Sequence, residues 1–248
     1  NLNGTNNQKR AGAGAQTSAI VMGGVGTGDD SNVDTELYNG TAWTEVNNLN
    51  SGRGLAVGAG TVNTAALLTS GRTASQAVYN ETEIWNGTSW TEVNNLNTAR
   101  YYSSGDGTST AAILAGGEPG SGATADTETW NGTSWTEVNN LNTARAELTS
   151  MGTSAAAIAA TGTTATAATV NAETWNGTSW TEVNNVNTAR TLLAGSGTST
   201  SAIIFGGNPA LAITEAWDGT SWTEVADLAV GRKNTTGSGT ATLGLAAG

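Results

Sequence analysis

Short stretches that favour β-strands recur along the whole chain, separated by small and polar segments. An apolar stretch such as AAILAGG at 111–117 is followed by TETW at 127–130 and WTEV at 135–138, in which polar residues alternate with β-branched or aromatic ones. Such alternation is typical of half-buried strands, and no segment has the i, i+3, i+4, i+7 apolar stripe of a helix. The pattern therefore predicts an all-β protein.

The strand pattern repeats. The stretch TSWTEVNNLN and its relatives place a tryptophan at Trp43, Trp90, Trp135, Trp180 and Trp222, in steps of 47, 45, 45 and 42 residues. Each unit opens on an arginine, which is followed by a glycine- and alanine-rich stretch, an apolar stretch and the two tryptophan-bearing stretches. The predicted units are approximately 10–52, 53–99, 100–144, 145–189 and 190–231, with a partial unit at 232–248. Periods of this length are typical of repeated supersecondary units.

Four strands per unit, with small residues in the innermost one, favour a β-propeller, because several strands crowd together at its axis. We predict a single propeller domain over residues 1–248, with four-stranded antiparallel blades and six blade positions, the last of them incomplete. A five-bladed ring with an overhanging C-terminal segment and a fragment of a longer array are the alternatives. The first nine residues, NLNGTNNQK, are too polar for a signal peptide and are candidates for one more outer strand.

An Asn-Gly pair divides the two tryptophan-bearing stretches of most units, as at Asn86 and Gly87. This pair predicts a two-residue type I′ hairpin, in which both turn residues have positive φ. Trp85 and Trp90 would then lie on one face as diagonal neighbours. The turn also explains the Asn-Gly-Thr glycosylation sequons without any sugar.

Composition excludes several chemistries. The chain has 34 glycines but no histidine and no cysteine, which rules out thiol nucleophiles, zinc-thiolate sites and Ser-His-Asp triads. A net charge of -11 opposes binding to nucleic acid, and no apolar run is long enough to span a membrane. Asp29, Asp30 and Asp34 offer oxygen ligands for Ca²⁺, but their spacing does not match an EF-hand loop. We predict no cofactor and no metal.

The order of an arginine, a small-residue strand, an apolar strand ending in Gly-Gly and a later tryptophan resembles the kelch repeat. The pairs at 23–24, 116–117 and 206–207 match its diglycine, whereas Ser70-Gly71 and Thr161-Gly162 depart from it. The Trp-Asn-Gly-Thr-Ser-Trp version is also similar to kelch-type proteins of marine bacteriophages. The resemblance implies that the loops between second and third strands lie on one face with the connectors between blades, and that this face is a recognition surface.

The same loops differ most between the units, and rigid β scaffolds usually carry function on loops. The alternative is that these are solvent-exposed loops that bind no ligand and whose sequences vary without functional constraint. The candidate ligand-binding residues are Asp29, Asp30, Asp34, Arg72, Tyr79, Glu118, Asp126 and Asn208.

The repeated charged residues admit two interpretations. The unit arginines either ring a binding face or, as we favour, pair with repeat glutamates such as Glu92 and Glu137 or with backbone carbonyls. Glu128 and Glu137 form a pair suited to acid and base catalysis, but five near-copies of one catalytic pair favour solvated strand faces instead.

The leading functional hypothesis is a non-enzymatic virion or cell-surface propeller, located on a virion or extracellularly, that binds a glycan or protein through the variable loops. Its partners would be virion or cell-surface proteins and glycans, without nucleic acid or membrane insertion, and oligomerisation is left open. One alternative is an assembly or decoration scaffold with no ligand. The second is a carbohydrate-active enzyme that uses loop carboxylates. Galactose oxidase chemistry is excluded because the chain lacks histidine and cysteine.

Overall fold

The computed structural model of the chain describes residues 10–25 and 31–242 and the backbone of 245–247, and these residues contain strands and no helix. Five sheets have four antiparallel strands each, hydrogen-bonded in chain order. Blade one has β1–β4 at Ala11–Ala15, Ser18–Met22, Thr35–Tyr38 and Trp43–Val46. Blade two has β5–β8 at Val57–Val62, Ala65–Thr69, Thr82–Trp85 and Trp90–Val93. Blade three has β9–β12 at Ser104–Thr108, Ala111–Ala115, Thr127–Trp130 and Trp135–Val138. Blade four has β13–β16 at Thr149–Gly152, Ala157–Ala160, Ala172–Trp175 and Trp180–Val183. Blade five has β17–β20 at Ala194–Thr198, Ser201–Phe205, Thr214–Trp217 and Trp222–Glu224.

The C-terminal segment forms a sixth, two-stranded sheet from β21 (Thr236–Ser238) and β22 (Leu245–Ala247). The first strands of consecutive blades contact one another, and β21 contacts both β17 and β1. The Ser238 hydroxyl donates a hydrogen bond of 2.8 Å to the Gly14 carbonyl of blade one. The predicted all-β propeller is confirmed, with five complete blades, as in the five-blade alternative, and a partial sheet between the fifth and the first.

Glycines allow the inner strands to pack backbone against backbone. A Cβ on Gly58 of blade two would lie 2.7 Å from the carbonyl oxygen of Gly12 in blade one. A Cβ on Gly237 would lie 2.3 Å from the Gly195 carbonyl oxygen in blade five. Side chains at these positions would push the blades apart, which explains the small residues of the first strands despite their poor strand propensity.

The tryptophan hairpin differs from its prediction. Trp85 lies directly opposite Trp90, with ring centroids 5.5 Å apart, so the loop has four residues and the rings are not diagonal neighbours. The side-chain oxygen of Asn86 accepts hydrogen bonds from the backbone N–H groups of Thr88 and Ser89, both at 2.9 Å. This side-chain turn leaves only Gly87 with positive φ, whereas a type I′ turn needs two such residues.

The fourth-strand tryptophans join each blade to the blade before it. Trp90 is buried against blade one, and its indole N–H donates to the Thr35 hydroxyl at 3.0 Å. Trp135 and Trp180 make the same contact with Thr82 and Thr127. Trp222 is equally buried against blade four, but its indole N–H has no acceptor among the described residues, because that blade has Ala172 instead of threonine.

The arginines that open the five complete blades are buried in ion pairs and do not ring a binding face. Arg100 Nη1 lies 2.8 Å from Glu128 Oε1, and both side chains are at most 1% exposed. The other oxygen of Glu128 accepts hydrogen bonds from the backbone and side-chain amides of Asn97, in the connector that precedes the blade. Arginine pairing is therefore confirmed, but Glu92 and Glu137 are the wrong partners, because both lie on the exposed face of the fourth strand. The prediction that these glutamates lie on solvated strand faces is confirmed for Glu137 and wrong for Glu128, which is buried.

The two units that depart from the diglycine keep the same backbone. Ser70 and Thr161 have φ of 63° and 62°, close to the 63° of Gly116. The second strand ends immediately before these residues, as it does in the diglycine units. The position that follows the second strand therefore has a left-handed backbone whether or not it is occupied by glycine.

Candidate functional site: one face of the ring and the mouth of its hub

The loops between second and third strands meet the blade connectors on one face of the ring. Isolated β-bridges join the two kinds of segment within a blade, as between Tyr101 and Glu118 and between Thr191 and Asn208. The Tyr101 and Glu118 backbones bond in both directions, at 3.1 and 2.8 Å. This is the face on which the sequence places its variable loops.

Residues with a left-handed backbone conformation form a ring around the mouth of the hub on this face. Their φ values lie between 53° and 56°, and each follows a unit arginine by two positions: Leu55, Tyr102, Glu147, Leu192 and Asn234. Backbone hydrogen bonds link the ring from blade to blade. The Glu147 N–H donates to the Tyr102 carbonyl at 2.9 Å, and the Asn234 N–H donates to the Leu192 carbonyl at 2.9 Å. The backbone is therefore the same at these five positions, while the side chain is leucine at two of them and tyrosine, glutamate or asparagine at the others.

These residues line a cavity of about 250 Å³ that continues into the hub between the first strands. Polar groups of the cavity wall include Tyr102, Glu147, Asp106, Ser150 and Thr235. Thr235 is 9% exposed, and its hydroxyl has no hydrogen-bond partner within the described part of the chain. A concave site with convergent polar groups is the usual form of a small-ligand site.

Asp106 supplies a carboxylate inside the hub. Its side-chain oxygens accept hydrogen bonds from the N–H groups of Gly107 at 2.7 Å and of Gly152, in the next blade, at 2.9 Å. Burial raises the pKa of Asp106 above its ordinary value, although the two backbone N–H groups act in the opposite direction. The hub thus holds one acid that is harder to ionise than a surface aspartate.

A cluster of aromatic and charged side chains borders the mouth. The Arg72 guanidinium lies 4.3 Å from the ring centroid of Tyr101 and 5.7 Å from that of Tyr102, within the range of cation–π attraction. Burial, and then the hydrogen bond with Glu118, raises the pKa of Tyr101. Burial, and then the nearby Glu147 carboxylate, raises the pKa of Tyr102. Both phenols therefore stay protonated at neutral pH, and the Tyr101 hydroxyl is engaged with Glu118.

Of the predicted site residues, Arg72 and Glu118 lie close together, and the others are distributed around the ring. Asp34 accepts a hydrogen bond of 2.9 Å from the Asn32 amide in blade one, and the Arg53 guanidinium lies 6.0 Å from the Tyr79 ring.

Two further candidates belong to blades three and five. The Asp126 carboxylate accepts a long hydrogen bond of 3.4 Å from Asn140, and the exposed Asn208 accepts one of 3.2 Å from Lys233. Asp29 and Asp30 lie outside the described residues, as do the nine residues predicted to add a strand. Among the residues that the structure describes, no group of three or more acidic side chains is arranged to hold a metal ion. These residues also form no helix long and apolar enough to cross a membrane.

The prediction missed Tyr102, Glu147 and Asp106. A signal for the first two was present in the sequence, because the residue two positions after each unit arginine differs between units while the arginine does not. Asp106 had a weaker signal, as the acidic residue in an otherwise small and neutral first strand.

Comparison with known proteins identifies the class of protein by its fold. No protein-family model matches the chain, and no curated protein sequence matches it. Among solved structures, 306 chains match. One of them, the structure of YjhT, has a TM-score of 0.77 and 12% sequence identity, over 94% of this chain and 88% of that chain. At this level of identity the likeness shows the β-propeller fold alone.

Proposed function

We propose that this propeller is a non-enzymatic recognition module that binds a glycan at the mouth of its hub. The observation that carries the proposal is the ring of left-handed residues, where one backbone conformation presents Leu55, Tyr102, Glu147, Leu192 and Asn234 to one cavity. A position whose backbone conformation is fixed while its side chain is leucine, tyrosine, glutamate or asparagine is suited to recognition.

The chemistry of the mouth supports a sugar as ligand. The ring of Tyr102, which lines the cavity, offers apolar surface with a hydroxyl at one end, a combination that suits a pyranose with its apolar and hydroxyl-bearing parts. Glu147 and Arg72 supply an acceptor and a donor beside this ring. The cavity of about 250 Å³ is suited to one or two sugar units.

The kelch-like order of the repeat, and its similarity to phage-encoded versions, support a place on a virion or on a cell surface. In that setting the opposite face or the blade edges would contact virion or cell-surface proteins, while the mouth faces outward. The net charge of -11 agrees with a ligand other than nucleic acid.

A glycan array probed with the full chain tests the proposal, followed by titration of the bound sugar. We expect Tyr102→Ala and Glu147→Gln each to weaken binding at least about tenfold, since each removes a contact at a central pocket position. Arg72→Ala should weaken it less, and Glu137→Gln, which changes an exposed glutamate of an outer strand, should not change it. Binding that these variants leave intact would contradict the proposal, and absence of any glycan ligand would favour the scaffold alternative.

One observation favours the rival hypothesis of a carbohydrate-active enzyme. Asp106, whose pKa burial raises, lines the same cavity as Glu147, and pairs of carboxyl groups perform glycoside hydrolysis. Release of reducing sugar from the bound glycan, lost in both Asp106→Asn and Glu147→Gln, would establish the enzyme. Binding without turnover would support the recognition module.

A further inference from the structure

The tips of the aromatic hairpins carry an exposed asparagine followed by glycine in four of the five complete blades. These asparagines are Asn39, Asn86, Asn131 and Asn176, and blade five has the equally exposed Asp218 at this position. Asparagine before glycine is the sequence in which a side-chain amide is most readily attacked by the next backbone nitrogen, because glycine has no Cβ beside that nitrogen. The hairpin tips are therefore places to look for a chemical modification of the chain itself.

The turn polarises the amide carbonyl that such an attack requires. In blade three, Asn131 Oδ1 accepts hydrogen bonds from the backbone N–H groups of Thr133 and Ser134, both at 2.9 Å. Negative charge develops on this oxygen when the nitrogen of Gly132 attacks the amide carbon, and a pair of fixed backbone N–H donors stabilises such an oxyanion. The corresponding bonds at the other three asparagines are 2.9–3.0 Å long.

The nitrogen that attacks and the nitrogen that leaves are not held by hydrogen bonds. Within the part of the chain that the structure describes, no group accepts a hydrogen bond from the Gly132 N–H or from the side-chain amide nitrogen of Asn131. The loop itself is fixed, because the Thr133 carbonyl accepts a hydrogen bond of 3.0 Å from Asn94 of the preceding blade. The tip thus combines a held backbone with two nitrogens whose bonds can change.

Blade five shows that the turn accommodates aspartate, the acid that deamidation produces. Asp218 Oδ1 accepts the same two bonds, from the N–H groups of Thr220 and Ser221, both at 2.8 Å. These two N–H groups lower the pKa of Asp218, that of Ser221 having the larger effect. The rings of Trp217 and Trp222 beside it have centroids 5.3 Å apart, close to the 5.5 Å of blade three. A carboxylate therefore fits the tip without displacing the aromatic pair.

We propose that the four tip asparagines are sites of spontaneous deamidation in the folded protein, with aspartate as the main product. The glycine nitrogen bonds to the asparagine Cγ, the C–N bond to the side-chain amide breaks, and the glycine proton leaves with that nitrogen as ammonia. Water then opens the resulting succinimide, giving aspartate when it adds to Cγ and isoaspartate when it adds to the backbone carbonyl carbon.

The fold favours aspartate over isoaspartate. Isoaspartate would place an additional methylene group in the main chain of a loop that joins two directly opposed, buried tryptophans, as between Trp130 and Trp135. Each conversion to aspartate adds one negative charge to a chain whose net charge is -11, so modified forms separate on an anion exchanger. The proposal does not depend on the glycan site, which lies at the hub.

The test compares the same chain folded and unfolded. The full chain is kept at neutral pH in native buffer and in guanidinium chloride, and deamidation is followed at each tip by peptide mapping and mass spectrometry. We expect Asn86, Asn131 and Asn176 to react at least as fast in the folded chain, because unfolding removes the two N–H donors to Oδ1. Asn139, which is exposed but not followed by glycine, is the internal control and should stay unchanged. Slower reaction in the folded chain, or isoaspartate as its main product, would overturn the proposal.

Two substitutions test separately whether the turn accepts the product. Asn131→Asp should unfold in urea at the same midpoint as wild type or at a higher one, because a charged acceptor strengthens both N–H bonds. Asp218→Asn should lower the midpoint at neutral pH. Since the folded state lowers the pKa of Asp218, this difference should disappear as the pH falls through the folded-state pKa. A midpoint for Asn131→Asp below that of wild type would mean that the turn rejects aspartate and would contradict the proposed product.

Discussion

The joints between blades and the mouth of the hub use repetition in opposite ways. At the joints, the side chains repeat together with the backbone. The arginine–glutamate pair occurs in all five complete blades. At all four joints between complete blades, an asparagine that follows the fourth strand donates a hydrogen bond to a backbone carbonyl of the next blade's hairpin. At the mouth, the backbone repeats within a few degrees of φ, but the side chains range from leucine to glutamate. The comparison teaches that the constant positions hold the ring and the changing ones are available for binding.

Replacing Trp135 with alanine should have the largest effect, because it removes a joint contact that the comparison assigns to stability. The side chain is 6% exposed, packs on blade two and donates to Thr82. We expect a loss of about 3–5 kcal/mol in the free energy of unfolding, measured with urea. A loss below about 1 kcal/mol would mean that the joint does not depend on the indole.

Glu128→Gln tests the buried ion pair of the same joint. It leaves the Arg100 guanidinium buried without its counter-charge, and we expect a loss of about 3 kcal/mol, near the lower limit for breaking such a pair. Glu137→Gln is the control, because Glu137 is directly opposite in the sheet but exposed, and it should change stability by less than about 0.5 kcal/mol. Equal effects of the two changes would remove the distinction between the buried and exposed glutamates.

Among the described joints between complete blades, Ala172→Thr should strengthen the joint of blades four and five, where the indole–threonine contact is absent. The new hydroxyl would stand where Thr82 and Thr127 accept an indole N–H, and it would satisfy the buried N–H of Trp222. We expect a gain of about 1 kcal/mol in the free energy of unfolding. The same substitution in a Trp222→Phe background should give no gain, and a gain there would contradict the hydrogen-bond explanation.

Asp106→Asn tests the hub and should have the smallest effect on the free energy of unfolding. We expect this effect to depend on pH. Since the folded state raises the pKa of Asp106 above 3.8, the folded state binds its proton more tightly than the unfolded state. Its contribution to stability is therefore greatest in acid and declines as the pH rises from 3.8 through the folded-state pKa. The variant should gain stability relative to wild type over that rise. A difference that stays constant from about pH 3 to about pH 7 would contradict the raised pKa.

The sequence predicted the blades well because strand pattern, repeat period and glycine content all favour one architecture. It failed at the hairpin register, because the side chain of Asn86 builds a four-residue loop that the Asn-Gly pair does not distinguish from a two-residue turn. It named the wrong glutamates because two glutamates per unit face each other across adjacent strands, and only three-dimensional packing decides which one is buried.

The candidate site was predicted less completely. Arg72 and Glu118 come from variable loops, where comparison of the units directs attention. Tyr102 and Glu147 are brought to one cavity by ring closure and by a left-handed backbone that no residue preference would suggest for tyrosine or glutamate. Convergence of distant units at an axis depends on how the blades close, which a single repeat does not contain.

The indole bonds from Trp90, Trp135 and Trp180 all run from a later blade to an earlier one, which gives the assembly a sense of direction. A ribosome makes the receiving surface before it makes the ring that fills it. The surface on which each new blade packs is therefore synthesised before that blade. Blades can accordingly fold one after another during translation, until β21 is synthesised and contacts β1.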